Sequence, residues 1–173
     1  MGLFDKQFGN KKKNIFDQIS ELLTGEGIKF NRPPHDNALF QFEANVDERV
    51  IHCVLVCDIN VSLLTFVAYL QNPIPKEKFP EILEFITRIN RDIWYGSFQI
   101  NFEEDSFGYV RCKTTLPIDN AIVSYEQLER LCFNNLLHVN NYQNGFSEIL
   151  TKNVSPKNAL EEIRLAIKNQ LLS

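Results

Sequence analysis

The chain has 173 residues, of which 44% are hydrophobic and 23% are charged. This mix is typical of a globular protein; the length favours one domain, and general disorder is excluded. The formal net charge is −4 at pH 7. Nucleic-acid binding requires a basic surface that displaces counterions from phosphates, so no nucleic-acid partner is expected, although a local basic patch is compatible with this charge.

The N-terminal segment MGLFDKQFGNKKK has no hydrophobic core of a secretory signal. No stretch of the chain approaches the roughly 18 apolar residues of a membrane span. We therefore expect a cytoplasmic protein with a flexible tail at residues 1–13 and a single domain at residues 14–173. The alternative for the tail is contact with a membrane surface through Leu3, Phe4 and Phe8, and the short segment argues against it.

In chain order, the first predicted element is an amphipathic helix. Apolar residues recur at helical spacing from Ile15 to Leu23, and Gly25 and Gly27 end the helix. Residues 31–36 contain two prolines and predict a loop. The alternation of apolar and polar side chains from Phe40 to Ala44 predicts a half-buried strand.

The next two segments, residues 49–59 and 61–71, are apolar on both faces of the predicted strands. Strands of this kind are usually central and covered on both sides. The second cover is expected to be either a helix of the same chain or a partner subunit. The intervening residues 58–60 predict the hairpin turn.

Two prolines within residues 72–75 are expected to break the sheet. An amphipathic helix follows from Phe79 to Ile93, with Asn90 as a satisfied structural amide near its end. Residues 94–103 and 107–116 then predict two strands, with Phe98, Ile100 and Phe102 facing inward in the first of them. The acidic run 103–105 is interpreted as a solvated hairpin turn rather than a cation site.

The last third of the chain predicts helices. Ser124 and Gln127 form a capping box before a helix that continues to Val139, and a second helical segment is expected near Gly145. Ser155 followed by proline opens the final helix. Grouped strands with adjacent hairpins predict an α+β fold, with an antiparallel sheet of about five to six strands and flanking helices.

No motif for catalysis, metal binding or cofactor binding is present. The glycine patterns of nucleotide-binding loops and the GxSxG elbow are absent, and the histidines lie in separate predicted elements. The cysteines are interpreted as reduced, small buried residues; they are Cys53, Cys57, Cys112 and Cys132. Cys132 and His138 have the residue types of a nucleophilic pair, but six residues apart on one helix they point in different directions. We predict a non-enzymatic protein without metal or cofactor.

Four residues are predicted to bind a partner protein: Trp94, Tyr95, Tyr109 and Arg111. Trp94 and Tyr95 are amphipathic aromatic residues at a junction between helix and strand, and such residues often anchor interfaces. Core packing is the alternative interpretation, and it is the more frequent role of such aromatic residues. Tyr109 and Arg111 lie on the outward face of the strand at residues 107–116.

The central segment FITRINRDIWYGSFQINFEEDSFGYVRCKTTLP, followed by VSYEQLERLC and VSPKNALEEI, resembles the bacterial YbjN-like family. The shared features are Asn90, the strand start at Gly96, the acidic turn before Gly108, the capped helix at Ser124 and the helix start at Ser155. The resemblance implies a type III secretion chaperone-like fold with a curved antiparallel sheet. It also implies a sensory or stress-related regulator without an established reaction, and it supplies no site motif.

These observations lead to three functional hypotheses. The first is a protein-interaction module with a regulatory or chaperone-like role, whose partner is another protein or a second copy in a homodimer. The second is a small-molecule-binding or catalytic protein, with His52, Cys112 and Glu103 among its candidate residues. The third is a structural domain of a larger assembly.

Overall fold

The computed structural model describes residues 14–33, 38–47, 49–103, 107–118 and 123–170. The predicted tail and residues 104–106 of the acidic turn lie outside this part of the chain. The helices are α1 (Ile15–Gly25), α2 (Phe79–Asn90), α3 (Tyr125–Lys152) and α4 (Pro156–Gln170). The strands are β1 (Phe30–Asn31), β2 (Leu39–Val46), β3 (Arg49–Asp58), β4 (Leu63–Pro75), β5 (Ser97–Glu103) and β6 (Phe107–Pro117).

The strands form one six-stranded antiparallel sheet in the order β1-β2-β3-β4-β6-β5. The prediction of an antiparallel α+β sheet is therefore confirmed. Helix α3 lies over β4 and β6, and α4 packs on α2 and α3. The sheet face beneath these helices, called the core face, carries buried apolar residues from every long strand: Phe42, Leu55, Phe66, Phe98 and Cys112.

Helix α1 begins and ends where the sequence predicts. The Asn14 side chain caps it by accepting a hydrogen bond from the Asp17 N–H at 2.9 Å. Its buried residues Ile15, Ile19 and Leu23 recur at helical spacing and join the core. A periodic apolar stripe with a cap is sufficient to specify this helix, because both signals are local.

Strand β4 continues through the two prolines, so the predicted break at residues 72–75 is wrong. The pairing with β6 shifts register between Tyr69 and Pro73 and then resumes, with Pro73 opposite Tyr109. Strand β3 pairs with β4 only as far as Tyr69, so the proline segment has a single neighbouring strand. Proline is tolerated there because its missing N–H falls on a sheet edge next to a bulge.

The predicted pair of helical segments around Gly145 is a single helix, α3, opened by the capping box of Ser124 and Gln127. Gly145 lies inside the helix rather than at its end. Its missing side chain lets α3 pack closely against the neighbouring helices. A Cβ atom at this position would lie 2.5 Å from the Phe85 ring and 2.7 Å from Ile163 Cδ1. Gly145 therefore marks the contact of α3 with α2 and α4 rather than a helix boundary.

The strand predicted from Trp94 begins only at Ser97, and α2 ends at Asn90. Gly96 has a φ angle of +101°, which is accessible mainly to glycine and turns the chain into β5. Phe102 lies on the same face of β5 as Phe98, as the sequence predicts, although its side chain is 57% exposed at the end of the strand. It packs edge-on against Phe79 with ring centroids 5.1 Å apart.

The central strands β3 and β4 are covered on one face only within the described residues. On the core face, Leu55 and Phe66 are fully buried. On the opposite face, Val54 and Val56 are half-buried and His52 is exposed. Of the two covers expected for this second face, a helix of the same chain is not among the described helices, and a partner subunit stays a prediction.

Candidate protein-binding surface

The uncovered side of the sheet, called the open face, carries the alternate residues of four adjacent strands. Strand register places these side chains together, because directly opposed residues share a face. They are Leu39, Gln41 and Glu43 of β2, His52, Val54 and Val56 of β3, Thr65, Val67 and Tyr69 of β4, and Tyr109, Arg111 and Lys113 of β6.

The centre of the open face is apolar. Val54 lies opposite Val67, and Val56 lies opposite Leu39, so the four side chains form one strip across three strands. Val67 is 7% exposed, whereas the other three are half-buried. A partner laid over this strip would remove apolar surface from water, which is the dominant favourable term in association.

The border of the strip along β6 is positively charged. Arg111 lies opposite Tyr69, and Lys113 lies opposite Val67. The Arg111 Nε–H donates to Gln99 Oε1 at 3.2 Å, which holds the guanidinium on the open face. An apolar strip beside two cations favours a partner with apolar and acidic side chains.

At one end of the open face the surface is aromatic. The rings of Phe107 and Tyr109 meet edge-on with centroids 5.7 Å apart. Register places Pro75 opposite Phe107 and Pro73 opposite Tyr109, and the four residues line one shallow depression. Tyr109 is half-buried at this depression and lies two residues along β6 from Arg111, on the same face of the strand.

The other two predicted contact residues lie elsewhere. Trp94 is 99% exposed, which excludes core packing, and Tyr95 is 36% exposed. The Tyr95 carbonyl lies 3.0 Å from His138 Nε2 of α3, so the Tyr95 backbone lies on the helix side of the sheet. The structure thus separates the Tyr95 backbone from Arg111, which lies on the open face.

Sequence reasoning missed an apolar groove between α1 and α3. Its lining is mostly apolar and includes two carboxylates at the rim: Leu22, Leu23, Ile28, Leu128, Cys132, Phe133, Glu26 and Glu129. Phe133 is 61% exposed. It lies off the apolar stripe of α3, and stripe patterns identify only the buried side of a helix.

Two of the three chemical candidates do not converge. His52 lies on the open face, whereas Cys112 is buried on the core face, and the side chain of Glu103 lies outside the described part of the structure. Burial raises the pKa of the Cys112 thiol to about 12 and that of the Cys132 thiol also to about 12, so neither is a ready nucleophile. The described residues contain no group of three or more His, Cys, Asp or Glu side chains arranged for a metal ion.

Asn90 is the satisfied amide that the sequence predicts, bonded to both backbone groups of Phe98. His138 contacts a backbone carbonyl rather than Cys132, and burial lowers the pKa of its imidazole. Within the described part of the chain, no helix has the length and apolar character needed to cross a membrane.

A six-stranded antiparallel sheet with helices on one face defines a type III secretion chaperone-like α+β fold. The crystal structure of YbjN from E. coli has this fold: it matches with a TM-score of 0.53 and 15% identity, over 73% of this chain and 92% of that one. The ExsC–ExsE complex matches with a TM-score of 0.51 and 19% identity, over 76% of this chain and 96% of that one.

The family model described as "Putative bacterial sensory transduction regulator", YbjN, matches residues 16–148. The chain belongs to the YbjN family, which confirms the resemblance read from the sequence. No curated protein matches the sequence. The structural likenesses are distant in sequence, and they establish the fold.

Proposed function

We propose that this chain is a non-enzymatic protein-interaction module of a bacterial cytoplasm, with a regulatory or chaperone-like role. Its open face holds a segment of a partner protein that carries apolar and acidic side chains. One observation supports this most directly: β3 and β4 are apolar on both faces, yet described helices cover only the core face. A second apolar face on a central strand is typical of a surface that a partner completes.

The charges of the open face support an acidic partner segment. Arg111 and Lys113 lie beside Tyr69 and Val67, so a segment placed along the strip would bring its own side chains next to both cations. Such complementarity mainly sets the choice of partner and the rate of association. The family description names regulation, and the ExsC–ExsE structure is a complex of two proteins; both accord with a binding role.

A second copy of this chain is the alternative partner, and one feature favours it. Glu43, His52, Tyr69 and Arg111 form one row across the open face through successive strand pairs. The row begins with an anion and ends with a cation. Two copies related by a two-fold axis would place Glu43 of each opposite Arg111 of the other.

The test places a charge in the apolar strip. Val54→Glu should abolish capture of a partner protein from native lysate, because a desolvated carboxylate is costly in an apolar interface. Phe133→Glu adds the same charge in the groove between α1 and α3 and serves as the matched control. Light scattering on both variants detects a homodimer, since Val54→Glu should halve the mass of a dimer built on the open face.

The outcomes separate the hypotheses. Loss of the partner with Val54→Glu but not with Phe133→Glu supports the open face. Capture that survives Val54→Glu and fails with Phe133→Glu would assign the interface to the helix groove and refute the proposal. Trp94→Ala and Tyr109→Ala then show which half of the predicted contact set belongs to the interface.

A further inference from the structure

A cavity of about 280 Å³ lies on the helix side of the sheet, between α3 and the ends of β3 and β4. Its apolar wall is formed by Ile51, Leu70, Ile74, Val110, Phe146 and Leu150. The polar lining consists of Arg49, Gln71, Asn72, Gln143 and Ser147. Because the wall residues belong to the core face, this cavity is separate from the open face, and a ligand could occupy it whether or not the open face binds a partner.

Gln143 is the most deeply buried polar residue of the cavity. It is only 6% exposed and lines the cavity. Among the described residues its side-chain amide has no hydrogen-bond partner, and its atoms are not among the fully buried polar atoms that lack one, so the amide is accessible from the cavity. An amide held in this way offers a donor and an acceptor to a molecule inside the cavity.

Arg49 supplies the cation of the cavity. Arg49 is exposed, and its Nη2 donates to Asn144 Oδ1 at 2.9 Å; Asn144 belongs to an adjoining depression that Arg49, Asp47 and Glu148 also line, so the guanidinium lies between the two. The described lining residues of the cavity itself include no aspartate or glutamate, and none of the described ion pairs involves Arg49. A guanidinium has five N–H donors, so several remain for a ligand, and its planar fork matches a carboxylate.

We propose that this cavity binds a small organic carboxylate with an apolar body. Arg49 binds the carboxylate, the Gln143 amide donates or accepts one further hydrogen bond, and Leu70, Val110 and Phe146 contact the apolar body. At about 30 Å³ per water-sized group, the volume suits a ligand of roughly nine or ten non-hydrogen atoms. A cavity with an apolar wall, one cation and a few amides is the usual composition of such sites.

Titration calorimetry of the full chain with phenylacetate tests the proposal. We expect saturable binding of one molecule per chain. The neutral analogue 2-phenylacetamide has the same apolar body, and it should bind about tenfold more weakly because the charged hydrogen bond to Arg49 is lost. Arg49→Gln should weaken carboxylate binding by about the same factor and leave amide binding unchanged.

Two further variants control for nonspecific effects. Arg130→Gln removes an exposed arginine of α3 that lines none of the described cavities, and it should bind the carboxylate like the parent chain. Gln143→Leu keeps the side-chain volume and removes the amide, so it should weaken the carboxylate about tenfold while the thermal midpoint is retained or raised. Amide NMR shifts should centre on Leu70 and Val110.

Several results would overturn the carboxylate site. One is the absence of saturable binding up to about 10 mM, beyond the weak millimolar range of small ligands. Another is equal affinity for the carboxylate and the amide, or equal loss with Arg49→Gln and Arg130→Gln. NMR shifts centred on Val54 would place the probe on the open face and refute the assignment to this cavity.

Discussion

The side chain of Asn90 holds both backbone groups of Phe98. The Phe98 N–H donates to Asn90 Oδ1 at 2.8 Å, and Asn90 Nδ2 donates to the Phe98 carbonyl at 3.0 Å. Strand β5 is at the edge of the sheet, so the Asn90 amide supplies the hydrogen bonds that a neighbouring strand would make. The last residue of α2 thereby fixes the position of β5 and protects part of an exposed edge.

Asn90→Ala should lower the free energy of unfolding by about 1–3 kcal/mol, because two partly buried backbone groups lose their partner. The measurement is urea unfolding followed by circular dichroism. Asn169→Ala is a matched control in the last turn of α4, at an exposed position, and it should change stability by no more than about 0.5 kcal/mol. Equal effects of the two substitutions would contradict a contribution of the Asn90–Phe98 hydrogen bonds to the free energy of unfolding.

Gly145→Ala should destabilise the protein by about 1–3 kcal/mol, although alanine is the better helix former. The added methyl would overlap the Phe85 ring and Ile163 Cδ1, at 2.5 Å and 2.7 Å. Gly25→Ala is the control, because no atom lies within 4 Å of a Cβ built there. Ile163→Val in the Gly145→Ala background should restore part of the loss, and failure of both effects would contradict the close helix contact.

Protonation of His138 should oppose folding. Its Nε2 lies 3.0 Å from the Tyr95 carbonyl, which only accepts, so Nε2 carries the hydrogen of the neutral ring. Burial lowers the pKa of the imidazole below its usual value of 6.5. The stabilisation is therefore present above pH 6.5 and is lost as the pH falls through the lower folded-state pKa.

His138→Gln keeps a donor for the Tyr95 carbonyl but does not titrate. The two proteins are compared at pH 7.5 and pH 5.5, about one unit above and below the ordinary histidine pKa. Over this range the parent chain should lose more free energy of unfolding than the variant loses, and the excess should be less than about 1 kcal/mol. Chemical denaturation at each pH measures the difference. A parallel pH dependence of the two proteins would contradict the role of His138.

The cysteine thiols should be unreactive in the folded protein. Burial raises the pKa of Cys53 to about 12, of Cys57 to about 11 and of Cys112 to about 12, so the thiolate fraction near pH 8 is on the order of one in a thousand or less. Ellman's reagent should label these thiols rapidly in the unfolded protein and slowly in the folded protein. Asn169→Cys adds an exposed thiol as a positive control, and rapid labelling of the parent chain would contradict the buried assignment.

The sequence predicted helix starts correctly where the signal depends on residues a few positions apart. The α1 stripe with its Asn14 cap and the capping box at Ser124 specify helix starts through contacts between residues a few positions apart. Predictions failed where a distant segment intervened. Strand β4 continues through Pro73 because β3 ends beside it, and α3 continues through Gly145 because Phe85 and Ile163 occupy the space of its missing side chain.

The sequence alone determined the antiparallel α+β class, the family and the residue types available for chemistry, because periodicity, caps and turn residues are properties of short segments. The tertiary structure decided which face of β3 and β4 is covered, that the Tyr95 backbone contacts α3 while Arg111 lies on the opposite face of the sheet, and that Arg49 and Gln143 line one cavity. These relationships join residues far apart in the chain, and strand register and helix packing create them only when the whole sheet forms.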